Sequence, residues 1–334
     1  WADIAAMGWT GILVPEELGG SGMDYATFGV VLEETGRTLV ASPLFASALV
    51  GASALILGGN SDQKQKWLPG IASGEQIVTL AVDESPHHAP EQTALAASST
   101  SDGFLLNGRK VFVFEGAAAS CFVVAARTSG TAGEREGITL FLVASDTKGV
   151  NASRLHTADS RGYANVNFDN VTVSADAVLG EIDAGFGLLD AVLDRARTGL
   201  AAEMLGTACE AFDRTLEYLK TREQFGQLIG SFQSLGHRAA NLFLEMEFAR
   251  SCVEAALRAI DQNSDEVPQL ASLAKCTAGE FLHNMSNDMI QMHGGIGMTD
   301  EFDAGFFLKR ARAAEAAFGG QSFHRRRYIA MHGI

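Results

Sequence analysis

The spacing of apolar residues changes period twice along this chain, and few architectures accommodate that order. Up to about Gly74 the pattern is helical. Residues 46–57 form a small and apolar run, residues 61–68 read as a polar helix start capped by Ser61 or Asp62, and Gly19-Gly20-Ser21-Gly22 is a turn between two helices. From about Glu75 to Leu179 the period shortens. Residues 77–82, 103–106, 110–114, 121–126, 138–143 and 164–168 are β-branched or aromatic runs separated by Gly, Asn, Asp and Ser. Asn107-Gly108 carries the strongest short hairpin signal, so an antiparallel sheet or small barrel is predicted. After Gly180 the helical period returns. Residues 186–221, 231–263, 269–293 and 301–318 each hold apolar positions at i, i+3, i+4, i+7, which predicts a four-helix bundle. The fold class is α+β with three domains, at residues 1–74, 75–179 and 180–334.

Composition narrows what such a chain can meet. Of 334 residues, 47% are hydrophobic, so packed domains rather than disorder are expected. Lys and Arg number 25 against 40 Asp and Glu, a net charge of −15, which argues against nucleic acid or an anionic membrane as partner. An anionic small ligand binds such a protein only where local donors or a helix N-terminus overcome the global field. The four cysteines, Cys121, Cys209, Cys252 and Cys276, form no CxxC pair and read as reduced, buried thiols of a cytoplasmic protein. No stretch has the length and apolarity of a membrane span, and no signal peptide is visible. The chain begins at Trp1 rather than Met, so its natural start is expected upstream. His87-His88, His283, His293 and His324 lack metal-ligand spacing with Cys or carboxylate partners, so no metal is expected.

Five stretches, collinear over nearly the whole chain, resemble the acyl-CoA dehydrogenase family. They are GILVPEELGGSG at 11–22, Asn107-Gly108-Arg109-Lys110, Arg161-Gly162 with Phe168-Asp169-Asn170-Val171-Thr172-Val173 and Leu179-Gly180, Thr221-Arg222-Glu223-Gln224-Phe225-Gly226 with Phe232-Gln233, and Gln291-Met292-His293-Gly294-Gly295-Ile296-Gly297. Each alone is weak; five in order are strong. The resemblance implies an acyl-CoA dehydrogenase-like fold, FAD as cofactor, and α,β-dehydrogenation of an acyl-CoA in fatty acid or sterol side-chain β-oxidation. It also implies a tetramer, because the adenosine motifs of one subunit reach a flavin held mainly by its neighbour.

The chemistry suits those motifs. Arg222 can fork two hydrogen bonds to phosphate, Phe225 offers an aromatic wall, Gln233 can bond a sugar or ring, and Gly294 and Gly295 admit close backbone approach. By resemblance, Gln291, Met292, His293 and Gln321 join them as cofactor residues. Taken singly, an exposed helix-end arginine and glycine turns between helices look the same. The flavin-ring half departs from the family. Its glycine-bearing cradle is replaced by Asp83-Glu84-Ser85-Pro86-His87-His88-Ala89-Pro90, and its aromatic-x-Thr strand reads Phe112-Val113-Phe114, which puts Phe114 where a hydroxyl donor stands.

Removing a weakly acidic α-proton needs a positioned carboxylate. The family places this Glu in a Tyr-Glu-Gly-Thr motif, matched here by Phe318-Gly319-Gly320-Gln321, or just before an early bundle arginine, matched by Ala196-Arg197. Gly319 and Ala196 thus occupy the base positions and neither accepts a proton. Glu315, four residues before Gly319, and Glu203, seven after Ala196, share their faces and are the substitute candidates, each weighed against a structural carboxylate. Asp194 and Arg197 match positions that contact the CoA ester, or else form an intrahelical i,i+3 pair. Two functions stay open. One is a subunit without its own base that completes the FAD site of a base-containing homologue in a homo- or hetero-tetramer. The other is a self-sufficient dehydrogenase using Glu315 or Glu203.

Overall fold

The computed structural model describes residues 1–333. The chain divides into two compact units, Trp1–Phe28 with Ala41–Ala196, and Gly29–Val40 with the residues from Arg197 on.

The first unit starts with helices α1 (Ala2–Ala6), the first turn of α2 (Tyr25–Arg37), a π-helical stretch Leu44–Gly51 that runs into α3 (Ala52–Gly58), and α4 (Ser61–Ala72). The cap of α4 is Asn60, not Ser61 or Asp62. Asn60 Oδ1 accepts from Gln63 N at 2.9 Å while Gln63 Oε1 accepts from Asn60 N at 3.1 Å, a reciprocal capping box that places the helix start one residue earlier than the sequence predicts.

A single sheet follows. Its strands are β1 (Val78–Ala81), β2 (Ala96–Thr100), β3 (Gly103–Val113), β4 (Cys121–Arg127), β5 (Ile138–Ala144), β6 (Val150–Arg154), β7 (Ala164–Ser174) and β8 (Val178–Leu179). The spatial order is β6-β7-β3-β2-β4-β5-β8, with β1 also on β4. The pairing is antiparallel except for β1 with β4 and the one residue pair of β2 with β4, so the sheet is mixed rather than antiparallel throughout. β4 is buried at all seven positions, which is why it reads as an unbroken apolar run without alternation. Phe104, Leu106, Phe122, Val124, Phe141, Val166 and Phe168 form its core.

The Asn-Gly signal misleads here. Residues 103–106 and 110–113 belong to one strand, and Asn107-Gly108 is a bulge inside it, where the β3–β7 register shifts. A side chain on Gly108 would sit 3.0 Å from Leu95 Cα, and Gly108 takes φ +147°. Asn107 Oδ1 accepts from Asn170 N at 2.8 Å, so the asparagine bonds across strands instead of closing a turn. The actual β2–β3 turn is at Ser101-Asp102. Residues 168–173, part of one stretch that resembles the family, lie in β7.

A buried lysine ties the following loop to this sheet. Lys110 Nζ donates to Glu84 Oε1 at 2.7 Å and to Val82 O at 2.9 Å. Burial pushes its ammonium below the usual lysine value, and Glu84 opposes that fall. Glu84 also accepts from the backbone N–H groups of Ala94 and Leu95, so one carboxylate closes both ends of the loop.

The second unit holds most of α2 and the long helices. α5 (Phe186–Thr221) enters it at Arg197 and is followed by the short pair β9 (Glu223–Gln224) and β10 (Gln227–Leu228), then α6 (Gln233–Asp261), α7 (Val267–His293) and α8 (Ala304–Ala316). A fifth helix, α9 (Gln321–Met331), lies beyond the four predicted ones. Cys121, Cys209 and Cys276 are buried and Cys252 half-buried; all four are free thiols. Among the described residues no helix is long and apolar enough to cross a membrane.

Glu84→Ala is expected to lower stability by about 3 kcal/mol, because it strips the carboxylate from a buried ammonium. The denaturant midpoint reads this, and Glu84→Ala with Lys110→Met is expected to recover part of the loss.

Candidate functional site

The adenosine motif is displayed on the second unit. Past the end of α5 the chain makes a two-residue hairpin, with Gln224 opposite Gln227 and Phe225-Gly226 at its tip. Phe225 takes φ +55° and Gly226 φ +78°, the signs a primed turn requires. Glycine accepts that conformation readily, whereas phenylalanine is strained in it. Phe225 is nonetheless 92% exposed, with an edge-on contact to Phe232 at 6.1 Å. Arg222 and Gln233 flank it, both exposed. A strained, solvent-facing aromatic beside an exposed arginine is the arrangement an anionic aromatic ligand would cover.

The second flavin motif sits at the end of α7. Gly294 closes the helix with φ +62° and ψ −136°, a conformation that requires glycine. Open space surrounds the positions where side chains on Gly294 and Gly295 would stand. Gln291, Gly294 and Gly295 face solvent. Met292 and His293 are buried. His293 is stacked between Tyr218 at 4.3 Å and Phe302 at 4.2 Å, with Nδ1 2.6 Å from Met289 O. Burial lowers its pKa, and the bond to Met289 opposes that shift. Tyr218 OH also donates to His293 O at 3.4 Å. His293 therefore joins the end of α5 to the end of α7 and brings the two motifs side by side. Tyr218 had no sequence signal beyond its place on the helix.

The residues matched by resemblance to the flavin-ring half lie in the first unit. Phe114 is 7% exposed, 4.6 Å from the Tyr163 ring and 5.3 Å from Phe45, with the Arg161 guanidinium over its face at 5.8 Å. Phe112 and Glu115 both take positive φ, so the backbone either side of Phe114 is strained to turn Phe114 inward and Phe112 outward. Arg161 is buried 3.7 Å from Asp159, and Glu115 Oε1 accepts from Gly162 N at 3.3 Å. The loop that replaces the family cradle spends its polar groups on itself. His88 Nδ1 lies 2.9 Å from Asp83 Oδ1, and Glu84 is bonded to Lys110, Ala94 and Leu95. FAD thus fits this chain unevenly. Arg222, Phe225, Gln233, Gln291, Gly294 and Gly295 carry groups that suit its adenosine and phosphates, whereas the position matched to the ring carries the buried Phe114.

At the base positions, Ala196 is fully buried on α5 and Gly319 sits in the turn between α8 and α9 with φ +102°. α8 ends at Ala316, so Glu315 does not share a helical face with Gly319. Its carboxylate instead accepts from Arg312 Nη1 at 2.8 Å and lies 3.1 Å from His283 Nδ1. Glu203 is buried and accepts from Arg310 Nη1 at 3.1 Å. Arg310 also donates to Leu39 O and Val40 O, so it is an internal tie of the second unit. Asp194 and Arg197 are almost fully buried. Gln321, the first residue of α9, is half-buried in a pocket with Glu280, His283, Asn284, Glu315 and Arg325.

Lys275 gave no warning in the sequence. Fully buried on α7, it donates from Nζ to Ala314 O at 3.0 Å and to Glu315 O and Gly319 O at 3.3 Å. Burial pushes its pKa down to about 7, with Glu315 opposing and Arg197 adding to the fall.

Profiles of the acyl-CoA dehydrogenase N-terminal, middle and C-terminal domains match residues 1–75, 84–171 and 183–333. The mitochondrial isovaleryl-CoA dehydrogenase of Solanum tuberosum is 32% identical over 97% of this chain and 80% of its own length. Butyryl-CoA dehydrogenase from Megasphaera elsdenii superposes with TM-score 0.94 at 26% identity, over 100% of this chain and 89% of that one. The ChsE4-ChsE5 complex from Mycobacterium tuberculosis contains a chain with TM-score 0.90 at 27% identity, over 100% of this chain and 87% of that one. The chain belongs to the acyl-CoA dehydrogenase family, oxidoreductases of CH–CH bonds whose cofactor is FAD.

The Lys275 shift has a definite sign. The unfolded chain holds the lysine proton up to about pH 10.5, while the folded chain releases it near pH 7. Between these values the unfolded state binds more protons, so the lysine makes stability rise with pH. Denaturation at pH 7 and pH 10 is expected to show Lys275→Met losing this rise, by roughly a few kcal/mol relative to the native chain.

Proposed function

We propose that this chain is the subunit without a base in a hetero-oligomeric acyl-CoA dehydrogenase. It lends the adenosine half of an FAD site to a homologous partner that carries the glutamate and cradles the flavin ring. The substrate class is an acyl-CoA thioester with a fatty or sterol side-chain acyl group. The observation that carries this reading is the contrast between two halves of one cofactor site. Arg222, strained Phe225 and the Gly294-Gly295 turn are exposed to solvent, while Phe114, at the position matched to the ring, is buried against Tyr163 and Phe45. Undirected loss of function gives no reason to keep one half and fill the other. The likeness to a chain of the ChsE4-ChsE5 complex supports a two-component assembly. The three-part division at residues 74 and 179 belongs to the same proposal.

A self-sufficient enzyme would need Glu203 or Glu315 as its base. Both carboxylates are held by arginines, through Arg310 and Arg312 respectively. Neither is placed by the geometry as a proton acceptor.

The test is to purify the chain alone and together with a homologue that has Glu at the position of Gly319. Flavin per subunit and acyl-CoA-dependent dye reduction are then measured. The chain alone is expected to hold little flavin and to show no turnover, and the pair to hold one flavin for each two unlike subunits. Full flavin and turnover by the chain alone would sink the proposal. In the pair, Arg222→Ala is expected to weaken FAD retention about tenfold or more, the loss of a charge-assisted phosphate contact.

A further inference from the structure

We infer that Phe323 is a plug that occupies the volume into which a side chain at position 319 would project, so the missing base is locked out by a second residue. This rests on the reading of the chain as a subunit without its own base, and it adds how that state is held.

Gly319 takes φ +102°, and a Cβ built there would stand 2.4 Å from Phe323 Cδ1, 2.9 Å from Phe323 Cγ and 3.1 Å from His324 Nε2. The first two contacts are to a rigid ring rather than to the tip of a flexible side chain. The ring has little freedom to yield. The Arg197 guanidinium lies over it at 5.6 Å, and the buried His324 ring meets it edge-on at 5.1 Å. The backbone is also held, because Lys275 Nζ grips Gly319 O together with Ala314 O and Glu315 O.

Electrostatics does not exclude a carboxylate from this place. Arg197 and Lys275 are both buried close by, and each would attract a negative charge. The obstacle is steric. A chain that had merely lost its glutamate would leave room for it. Here the room is taken, and the turn has adopted a conformation that favours glycine.

The experiment is a double-mutant cycle on the full chain, read by denaturant unfolding without flavin or partner. It uses Gly319→Ala, Phe323→Ala and their combination. The strain of a positive φ is common to both backgrounds and cancels. The collision is present only beside Phe323. Gly319→Ala is therefore expected to lower the folding equilibrium constant at least about tenfold more in the native background than in Phe323→Ala, a coupling of about 1.4 kcal/mol. Equal losses in the two backgrounds overturn the plug. If Phe323→Ala does not fold, Phe323→Leu, whose branched tip can rotate aside, serves in the same cycle with the same two outcomes.

A pH arm reads what a purely structural ring would not affect. With Phe323→Ala present, Gly319→Glu is compared with Gly319→Gln. Beside Arg197 and Lys275 the glutamate is expected to have a depressed pKa. Its stabilising effect is then present above the unfolded glutamate pKa and lost as pH falls through the folded one. No difference between Glu and Gln across that range counts against the volume facing the cations. Failure of the parent reading shows elsewhere, as full flavin on the unmutated chain, so the two results are separable.

Discussion

Each compact unit of this protein is organised round a lysine that burial has cut off from water. An isolated ammonium in such a place is costly, so the surrounding backbone must supply oxygens. On α7, Lys275 finds three, Ala314 O, Glu315 O and Gly319 O. The first two belong to the last turn of α8, where carbonyls lack intrahelical partners and the helix dipole is negative. The lysine and the helix end each satisfy the other's unmet need. The third oxygen fixes the turn at Gly319, which sets where α9 begins and so where Phe323 stands. On β3, Lys110 does the same through Val82 O and Glu84, and the loop from Asp83 to Leu95 is drawn closed. The loop from Asp83 to Leu95 and the turn at Gly319 are thus each held by a buried lysine.

The polar groups of the two half-sites are disposed in opposite ways. Near Phe114 polar groups are engaged within the chain, as in Gly162 N donating to Glu115 Oε1 and the pairing of His88 with Asp83. Near Phe225 the molecule tolerates the reverse. A large aromatic in the left-handed region, almost fully in water, is unfavourable in both conformation and hydration. Its neighbour Gly226 and the short pair β9–β10 fix the tip, so the exposure is built by the fold rather than by a frayed end.

Much of this architecture was legible because it rests on local periodicity. The limits of α5, Phe186–Thr221, follow from the apolar spacing alone, and β4 and β5 from their unbroken apolar runs. What was hidden depends on partners distant in sequence. Asn107-Gly108 has a turn's composition, but the partner of Asn107 is Asn170 across the sheet. Arg310 looks like one of several basic residues on a solvated helix, yet it is buried on Glu203, which lies 107 positions earlier. His293 belongs to a ligand motif, yet its ring is consumed by Tyr218 and Phe302. Gly319 was legible as a missing carboxylate. That its place is filled was not, since Phe323 carries no motif and acts only through the turn that precedes it.

Filling, rather than emptiness, also bears on whether any other group could take over proton abstraction. A substitute base must reach one carbon of the substrate with a pKa near the working pH. The buried thiols are poor candidates, because burial pushes Cys121 up to about 12 and Cys209 to about 11. Lys275 has the right pKa, near 7, but its nitrogen is turned onto three backbone oxygens. Glu203 and Glu315 are carboxylates, but Arg310 and Arg312 hold their oxygens in charge-assisted bonds. A pKa in range without reach, or a carboxylate without freedom, does not make a base. Arg222, Gln233 and Gln291, by contrast, lie exposed on the second unit. Under the proposed reading, the chemistry this chain keeps is recognition of a cofactor's anionic end.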